Sequence, residues 1–263
     1  MNINRILRET FVVEVEHRAE IGSTNDRAME RAKQGASKLP LLVIADLQTA
    51  GRGRGNNRWW TGPGSLTFSL LLESTAAENK TDILLGRQLN CRPNIAPLVS
   101  LAAGMAVAET MRLLLPDREV GIHWPNDVIA AGRKLAGILV EALPNGRTII
   151  GIGINTNNSM AEAPAELLPI ATTLLELTGK RHDHIEILIA LLSRLETHLV
   201  ALKQEPSQLT TQADALCLQR DKRLTLQLGR QTIAGICRGI APDGALLLET
   251  PEGLRSFYSG III

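Results

Sequence analysis

The segment from Gln48 to Trp60 reads QTAGRGRGNNRWW and contains three glycines, three arginines and two of the chain's three tryptophans. Apolar runs at 41–45 and 66–72 flank it, and each is typical of a buried strand. The segment is therefore predicted to be a long cationic loop between two strands. Glycine tolerates backbone angles that side chains forbid, and arginine carries a fixed charge in a bidentate donor geometry. Such a loop suits closure over a phosphate-bearing ligand.

Two other interpretations of this Gly-Arg segment stay open on its sequence alone. Gly-Arg alternation also occurs in disordered RNA-binding tails. It also suits a solvated surface turn. The two flanking strands argue against a tail, because they place the segment inside the folded part of the chain.

Composition narrows the class of partner. The chain has 263 residues, 44% of them hydrophobic, and a formal net charge of +1. This length allows one large domain, or a medium domain with a small one. The balanced charge gives no global electrostatic case for binding nucleic acid or an anionic membrane. The basic charge is local, which favours a small anionic ligand.

Cysteine usage and the N-terminus point to the cell interior. Cys91, Cys217 and Cys237 are odd in number and far apart, so they predict neither a disulfide framework nor a metal site, only small buried side chains. The first residues lack the layout of a signal peptide, and no uninterrupted apolar run of about 18 residues appears. We expect a cytoplasmic protein with no membrane partner.

Helical periodicity predicts three main helices. Gly22 to Asp26 opens the first, with Ser23 and Asp26 at the spacing of a capping box and Gly35 as its end. Apolar spacing predicts a second over 97–115 and a third over 185–202. Residues 74–96 are polar and irregular, which is typical of a surface excursion.

The middle of the chain alternates strands and turns. A strand from Val120 leads into a Trp-Pro-Asn-Asp turn at 124–127. Lys134 precedes an apolar strand, Asn145-Gly146 predicts a hairpin, and the strand over 148–155 contains two internal glycines. Internal strand glycines indicate close approach of backbone or ligand. Neither a dinucleotide fingerprint nor a P-loop is present, so any nucleotide site must be of another type.

From about residue 217 the pattern changes to short strands with turns at 229–230, 242–244 and 252–253. This spacing predicts a small β-barrel of about fifty residues. We therefore expect two domains, 1–216 and 217–263.

Six motifs occur in an order that resembles the biotin–protein ligase family. They are Ser23-Thr24-Asn25, Gln48 with Ala50-Gly51-Arg52-Gly53-Arg54, Trp59, Trp124-Pro125-Asn126-Asp127, Lys134 with Gly137, and Gly153 with Asn155. Each is weak alone, but their order and spacing are specific. The resemblance implies an α+β fold with a central mixed β-sheet and flanking helices, plus a C-terminal SH3-like barrel.

The resemblance also implies a reaction. Biotin and MgATP would give biotinyl-5′-AMP and pyrophosphate, and biotin would then pass to one lysine of a biotin carboxyl carrier domain, with that of acetyl-CoA carboxylase as the obvious partner. A carboxylate that attacks a phosphate is an anion approaching an anion, so the site must neutralise charge and hold both groups in line. Biotin as substrate, ATP and Mg²⁺ are thus the expected ligands.

Residue roles follow from the same resemblance. The catalytic set would be Arg52, Arg54, Asp127 and Lys134. Biotin would be bound by Ser23, Thr24, Asn25, Gln48, Arg52, Gly53, Arg54, Lys134 and Gly137. ATP and the adenylate would be bound by Arg52, Arg54, Trp59, Asn126, Lys134 and Asn155. No fixed metal ligands are expected, although Asp127 is a candidate contact for Mg²⁺, the alternative being a bond to the incoming lysine.

The chain departs from the family's usual pattern in three places. His123 stands where a lysine often precedes Trp-Pro-Asn-Asp, and residues 55–57 are Gly-Asn-Asn where further basic residues are common. The helix-turn-helix that precedes the ligase in repressor members has no counterpart in this sequence, so we expect no operator DNA binding. The oligomeric state stays open, and a homodimer is one candidate.

Three alternatives remain at this level. A lipoate–protein ligase shares the fold and the adenylation logic, and lipoate in place of biotin would distinguish it. A nucleic-acid-binding module would show a steep salt dependence of RNA affinity. A non-catalytic biotin binder would bind biotin without ATP-dependent release of pyrophosphate.

Overall fold

The computed structural model describes residues 1–73 and 95–263. The helices in these ranges are α1 (Ile3–Glu9), α2 (Thr24–Lys33), α3 (Ala96–Leu114), α4 (Leu174–Thr178), α5 (His184–Gln204) and α6 (Pro206–Ala215). The strands are β1 (Glu14–Ile21), β2 (Leu41–Gln48), β3 (Leu66–Leu72), β4 (Val120–His123), β5 (Asp127–Ala130), β6 (Arg133–Ala142), β7 (Thr148–Ile154), β8 (Arg223–Leu228), β9 (Gln231–Ile240), β10 (Leu246–Thr250), β11 (Gly253–Phe257) and β12 (Ile261–Ile262).

The larger sheet has seven strands in the order β1-β2-β3-β7-β6-β5-β4. Only β1 and β2 run parallel, and the other neighbours are antiparallel, so the sheet is mixed. Successive side chains of a strand face opposite sides. Leu41 and Val43 of β2 pack under α2, whereas Leu42 and Ile44 join the core beneath α3 and α5. The predicted α+β fold with flanking helices is confirmed.

Several predicted elements are confirmed with small shifts at their ends. The flanking strands and the three main helices are present, and Gly35 follows α2 with a φ of 77°. The capping box was wrong, because Ser23 is the N-cap residue of α2 but its side chain makes no capping hydrogen bond. Sequence reasoning missed α1 and α6. The expected surface excursion lies almost entirely outside the described residues.

Helix α3 meets the length and composition of a membrane span. Its 18-residue window has a hydropathy of 1.3, but 67% of that window is buried inside the fold. Its residues from Val99 to Met111 are almost all buried, and the helix packs against α5 and β6. The side chains that make α3 apolar are therefore those that fill the core.

The C-terminal residues form a second, five-stranded antiparallel sheet in the order β11-β10-β9-β8-β12. It is the predicted small β-module. Its buried side chains, such as Leu226 and Leu248, belong to the same hydrophobic cluster as the buried face of α3. One core thus runs through both sheets.

The segment between α6 and β8 joins the two sheets. Cys217 lies beside Ile122 of β4 in a parallel bridge. Cys217 and Cys237 are both buried and free, as predicted, whereas Cys91 lies outside the described residues.

Candidate functional site

A cavity of about 510 Å³ opens above the larger sheet, at the start of α2 and beneath the Gly-Arg loop. Residues of β8, β12 and the adjoining turns, from Gln227 to Gly229 and from Ser259 to Ile262, line its other side. The structure brings together at this cavity twelve of the residues predicted from sequence, which are Ser23, Thr24, Asn25, Gln48, Arg52, Gly53, Arg54, Trp59, Asn126, Asp127, Lys134 and Gly137.

The Gly-Arg segment is a short hairpin that lies over the cavity. Arg52 and Arg58 pair in an antiparallel bridge, and the Trp59 N–H donates to the Gly51 carbonyl at 2.9 Å. Gly55 turns the tip with a φ of 59°, a conformation that L side chains rarely adopt. The Gly-Asn-Asn stretch at 55–57 therefore forms the tip of this hairpin.

The start of α2 is held by Gln48. Its Oε1 accepts hydrogen bonds from the Thr24 backbone N–H at 2.7 Å and from the Thr24 hydroxyl at 3.0 Å. Gln48 thus satisfies the free Thr24 N–H in the first turn of the helix, a different donor from the Asp26 N–H that a capping box would bind through Ser23. The buried hydroxyls and amides at this point form a polar end to the cavity.

Glu141 is the functional residue that sequence reasoning missed. Its carboxylate accepts a bidentate pair from Arg52 at 3.1 and 2.7 Å, and Asn25 Nδ2 donates to it at 2.7 Å. Arg52 also contacts Asp26 Oδ1 at 2.9 Å. Strand alternation offered a signal, because Gly137 and Glu141 are four residues apart and share one face of β6.

These contacts give Arg52 a different place from the one expected. Its guanidinium is already paired with Glu141, whose hydrogen bonds raise the pKa of Arg52. Arg52 therefore anchors the hairpin to the sheet and to α2. Its contact with a phosphate or carboxylate stays a prediction.

Arg54 meets the Trp-Pro-Asn-Asp turn. Its Nη1 donates to Asn126 Oδ1 at 3.1 Å, and Asn126 Nδ2 donates in turn to the Ile138 carbonyl at 2.9 Å. Burial lowers the pKa of Arg54, and Asp127 offsets part of that effect. A half-buried guanidinium without a carboxylate bonded to it favours an anionic ligand.

Lys134 and Asp127 form a close ion pair, and both residues line the cavity. Lys134 Nζ lies 2.7 Å from Asp127 Oδ1 and 5.7 Å from the centroid of the Trp59 ring. The two residues lie on neighbouring strands, β5 and β6, where the register shifts between Val128 and Ile129. An ammonium, a carboxylate and an indole face thus meet at one point.

Glycines form the floor of the cavity. Gly137 and Gly153 are direct cross-strand partners, and a Cβ on Gly153 would lie 2.4 Å from Trp59 Cε2. A Cβ on Gly151 would lie 2.0 Å from Asn25 Oδ1. The strand glycines therefore do mark close approach, but the groups that approach are the side chains of Trp59 and Asn25 and not the backbone or ligand that was predicted.

His123 also lines the cavity. It stands where a lysine often precedes the Trp-Pro-Asn-Asp motif, and its role was left open by the sequence. Burial lowers its pKa, a nearby Asp127 opposes that effect, and Lys134 lowers it further. The imidazole is therefore neutral at pH 7. It replaces the positive charge of a lysine with a neutral hydrogen-bonding ring.

Asn155 is the one predicted residue that lies away from the cavity. It is buried, its N–H donates to the Leu135 carbonyl, and its Oδ1 faces Asn158 Nδ2 at 3.5 Å. Its predicted contact with the adenylate has no support in this arrangement.

His182 and His184 lie close together in the sequence but each contacts a threonine hydroxyl. His184 Nε2 lies 2.8 Å from Thr156 Oγ1, and His182 Nε2 lies 2.9 Å from Thr178 Oγ1. Within residues 1–73 and 95–263, no group of three or more His, Cys, Asp or Glu side chains is arranged to hold a metal ion.

This arrangement can bring an organic acid and a phosphate ester together. Lys134, Arg54 and Arg52 supply positive charge around one cavity, a polar helix start closes one end, and a hairpin covers it. The fold and the site together define a protein that binds small organic and phosphate anions.

Comparison with known proteins gives the family. Residues 19–157 match the Biotin/lipoate A/B protein ligase family, and residues 221–263 match the Biotin protein ligase C terminal domain. The chain belongs to the biotin/lipoate A/B protein ligase family, in its biotin protein ligase branch.

Individual relatives agree with that assignment. The chain is 35% identical to the biotin–[acetyl-CoA-carboxylase] ligase of Mycobacterium tuberculosis, over 88% of this chain and 81% of the relative. It is 32% identical to the bifunctional ligase/repressor BirA of Bacillus subtilis, over 92% of this chain and 71% of the relative. The biotin protein ligase of Aquifex aeolicus, solved with biotin and ATP, superposes with a TM-score of 0.78 at 30% identity and covers 95% of this chain and 98% of its own.

Proposed function

We propose that this chain activates biotin with ATP and transfers it to a lysine of a biotin carboxyl carrier domain. The observation that carries the proposal is the convergence of Lys134, Arg54 and the Gly-Arg hairpin on one glycine-floored cavity. Two relatives whose names specify the acetyl-CoA-carboxylase partner support a carrier domain of that enzyme as the acceptor.

In the first step a carboxylate oxygen of biotin attacks the α-phosphorus of ATP, and pyrophosphate leaves. Lys134 and Arg54 neutralise the approaching anions, which lowers the barrier most effectively in a site with little water. Thr24, Asn25 and Gln48, at the polar end of the cavity, hydrogen-bond the ureido head. Trp59 offers a ring face to the adenine or to the closed loop.

In the second step the amine of the acceptor lysine attacks the acyl carbon, and AMP leaves. The mixed anhydride also reacts with water, so the site must exclude solvent between the steps. Arg52, anchored by Glu141 and Asp26, holds the hairpin over the cavity for this purpose.

Mg²⁺ accompanies ATP in this class of enzyme. Asp127 is the carboxylate that would fit contact with it, because it lines the cavity beside Lys134, with its Oδ1 2.7 Å from Lys134 Nζ. Mg²⁺ keeps several waters and binds substrate phosphates, so one carboxylate is sufficient. Asp127 equally fits a bond to the incoming lysine.

The test uses the purified chain with MgATP, biotin and a carrier domain, read by the intact mass of the carrier. We expect the mass of one biotinyl group to be added by the wild type and by Lys203→Ala, whose lysine is exposed on α5. Lys134→Ala should lose the product, and lipoate in place of biotin should give none.

Two other results would change the proposal in different ways. Pyrophosphate release without carrier modification would mean that the acceptor is wrong. Neither product nor pyrophosphate would overturn the enzyme activity and favour a binding role. The absence of operator DNA binding and of a membrane partner, the cytoplasmic location and the homodimer stay predictions.

A further inference from the structure

A glutamine from outside the cavity holds the Trp-Pro-Asn-Asp turn. Gln219 Oε1 accepts a hydrogen bond from the Trp124 N–H at 2.7 Å, and its Nε2 faces the Trp124 carbonyl at 3.4 Å. The two residues are 95 positions apart, and Gln219 is only 4% exposed. The Gln219 side chain therefore hydrogen-bonds both the N–H and the carbonyl of Trp124, the first residue of the turn.

The segment that carries Gln219 is fixed against β4. The Ile122 N–H donates to the Leu216 carbonyl at 2.8 Å, and the Leu218 N–H donates to the Ile122 carbonyl at 3.0 Å. Gly121 makes this approach feasible, because a Cβ there would lie 2.5 Å from the Leu216 carbonyl oxygen. Gln219 thus projects from a turn segment that is hydrogen-bonded to β4.

A turn of the C-terminal sheet makes a further hydrogen bond to Trp124, this time to its side chain. Trp124 Nε1 donates to the Gly244 carbonyl at 3.1 Å, in the turn between β9 and β10. Trp124 is 1% exposed. Both contacts come from residues after α6, so the C-terminal part of the chain sets the position of the turn.

The Trp-Pro-Asn-Asp turn presents two side chains to the cavity, those of Asn126 and Asp127. Asn126 accepts the hydrogen bond from Arg54 of the hairpin, and Asp127 pairs with Lys134. Asn126 lies two residues after Trp124 in the same turn, so a displacement of Trp124 also displaces Asn126. The side chain that accepts the hydrogen bond from Arg54 of the hairpin then moves as well.

We propose that Gln219 is a positioning residue for the ligase reaction, which acts by fixing Trp124 and so holding Asn126 against Arg54. The inference rests on the proposed function. Displacements of about 1 Å from such a change can reduce a rate by up to roughly 100-fold.

The first test is Gln219→Met, which preserves side-chain length and volume but removes both hydrogen bonds. Pyrophosphate release by the wild type is measured first, so that failure of the proposed function is seen separately. We expect kcat to fall roughly tenfold or more, with the KM for biotin unchanged within about twofold. The biotin KM should hold because Thr24 and Gln48, which are assigned to the ureido head, hydrogen-bond to each other and to Ser69 and Thr61 and are not held by this turn.

The matched control is Gln212→Met, the same change at an exposed residue of α6. It should retain wild-type kinetics. Denaturant unfolding of each variant establishes that it is folded under assay conditions. If Gln219→Met does not fold, Gln219→Asn replaces it, because its amide ends one methylene short of Trp124, and the same result is expected.

A double-mutant cycle separates positioning from general destabilisation. If Gln219 acts through Asn126, the Gln219→Met change should cost less than about twofold in kcat when made in an Asn126→Ala background, because coupled residues are non-additive. A full tenfold loss in that background would overturn the proposal. So would a folded Gln219→Met protein with wild-type kcat.

Discussion

At the scale of single residues, Glu141 holds two residues of the site without itself lining the cavity. Its carboxylate binds the guanidinium of Arg52 and the amide of Asn25, and its side chain is 22% exposed. Charge-assisted bidentate pairs of this kind are stronger and more directional than neutral hydrogen bonds. One residue thus fixes both the hairpin and the polar end of the cavity.

Glu141→Gln tests this role. The substitution retains the shape but removes the charge that holds Arg52, so we expect the KM for biotin to rise roughly tenfold, as for the loss of about 1.5 kcal/mol. Steady-state pyrophosphate release measures it. Glu166→Gln, at an exposed position, is the control and should leave KM unchanged. An unaltered KM in a folded Glu141→Gln protein would mean that Glu141 has no part in binding.

Gly153→Ala tests the contact between the floor and the indole. The added Cβ would lie 2.4 Å from Trp59 Cε2, so the ring must move outward. We expect a red shift of tryptophan emission and a KM for ATP raised roughly tenfold, as for the loss of about one stacking contact. Gly104→Ala is the control, since its Cβ would have no neighbour nearer than 3.7 Å. If the emission spectrum of Gly153→Ala is identical to that of the wild type, the Trp59 ring is not displaced by the added Cβ, and the predicted contact is wrong.

At the scale of elements, an ionic cluster joins β1 to α2. Glu16 accepts from Arg27 Nε at 2.7 Å and from Arg31 Nη1 at 2.7 Å, and its side chain is 11% exposed. Burial alone would raise the pKa of Glu16, but the hydrogen bonds from the arginines outweigh it and lower the pKa to about 2. The charged form of Glu16 is therefore stabilised by folding.

The cluster predicts a specific loss of stability in acid. Because the folded pKa is depressed from 4.5 to about 2, its contribution is complete above pH 4.5 and is lost as the pH falls towards 2. We expect Glu16→Gln to lower the free energy of unfolding at pH 7 by about 1–3 kcal/mol and to flatten the acid dependence over that window. Urea unfolding at several pH values measures both effects. Glu20→Gln, at an exposed position on the same strand, should alter neither, and parallel curves for Glu16→Gln and wild type would refute the assignment.

Sequence reasoning succeeded where local pattern determines the element. The strand over 66–72 follows from its continuous apolar run, and all seven of its residues are buried. Helix α5 follows from helical spacing, because its buried side chains recur about every 3.6 residues. Helices α1 and α6 were missed because both are short and mixed in composition. Their positions depend on tertiary contacts, such as those of α1 with α5.

The same limit applies to the site. Motif residues such as Lys134 and Gln48 line one cavity, and they could be singled out because their types and spacing are distinctive. Their roles stay predictions. The partners that hold them were not found, since Glu141 and Gln219 lie far along the chain from Arg52 and Trp124. Ser23 was predicted to cap α2, but its side chain makes no capping hydrogen bond, and Gln48 at the end of β2 binds the Thr24 N–H instead. Long-range pairing decides these details.

At the scale of the whole molecule, one hydrophobic core crosses the expected domain boundary. It includes Leu101 of α3 and Leu248 of β10, both essentially unexposed. The boundary at 216 and 217 also lies within the segment hydrogen-bonded to β4. The C-terminal sheet is thus packed as part of the larger unit.

A shared core predicts cooperative unfolding. We expect a single transition in denaturant, with tryptophan emission and far-UV circular dichroism coinciding, and Leu248→Ala should lower the midpoint of that whole transition by removing about 2–5 kcal/mol. Leu254→Ala, at an exposed position on β11, is the control and should have little effect. Two separate transitions, only one of them shifted by Leu248→Ala, would show that the sheets unfold independently.

The glycine floor also limits how the enzyme can be redesigned for bulkier acids. Gly137, Gly151 and Gly153 carry no side chain that could be trimmed, so every substitution there narrows the cavity. Added room must come from the roof, by shortening Trp59 or lengthening the hairpin. Both changes weaken the part of the site that keeps water from the activated intermediate. We therefore expect a variant that accepts bulkier acids to lose more of its intermediate to hydrolysis.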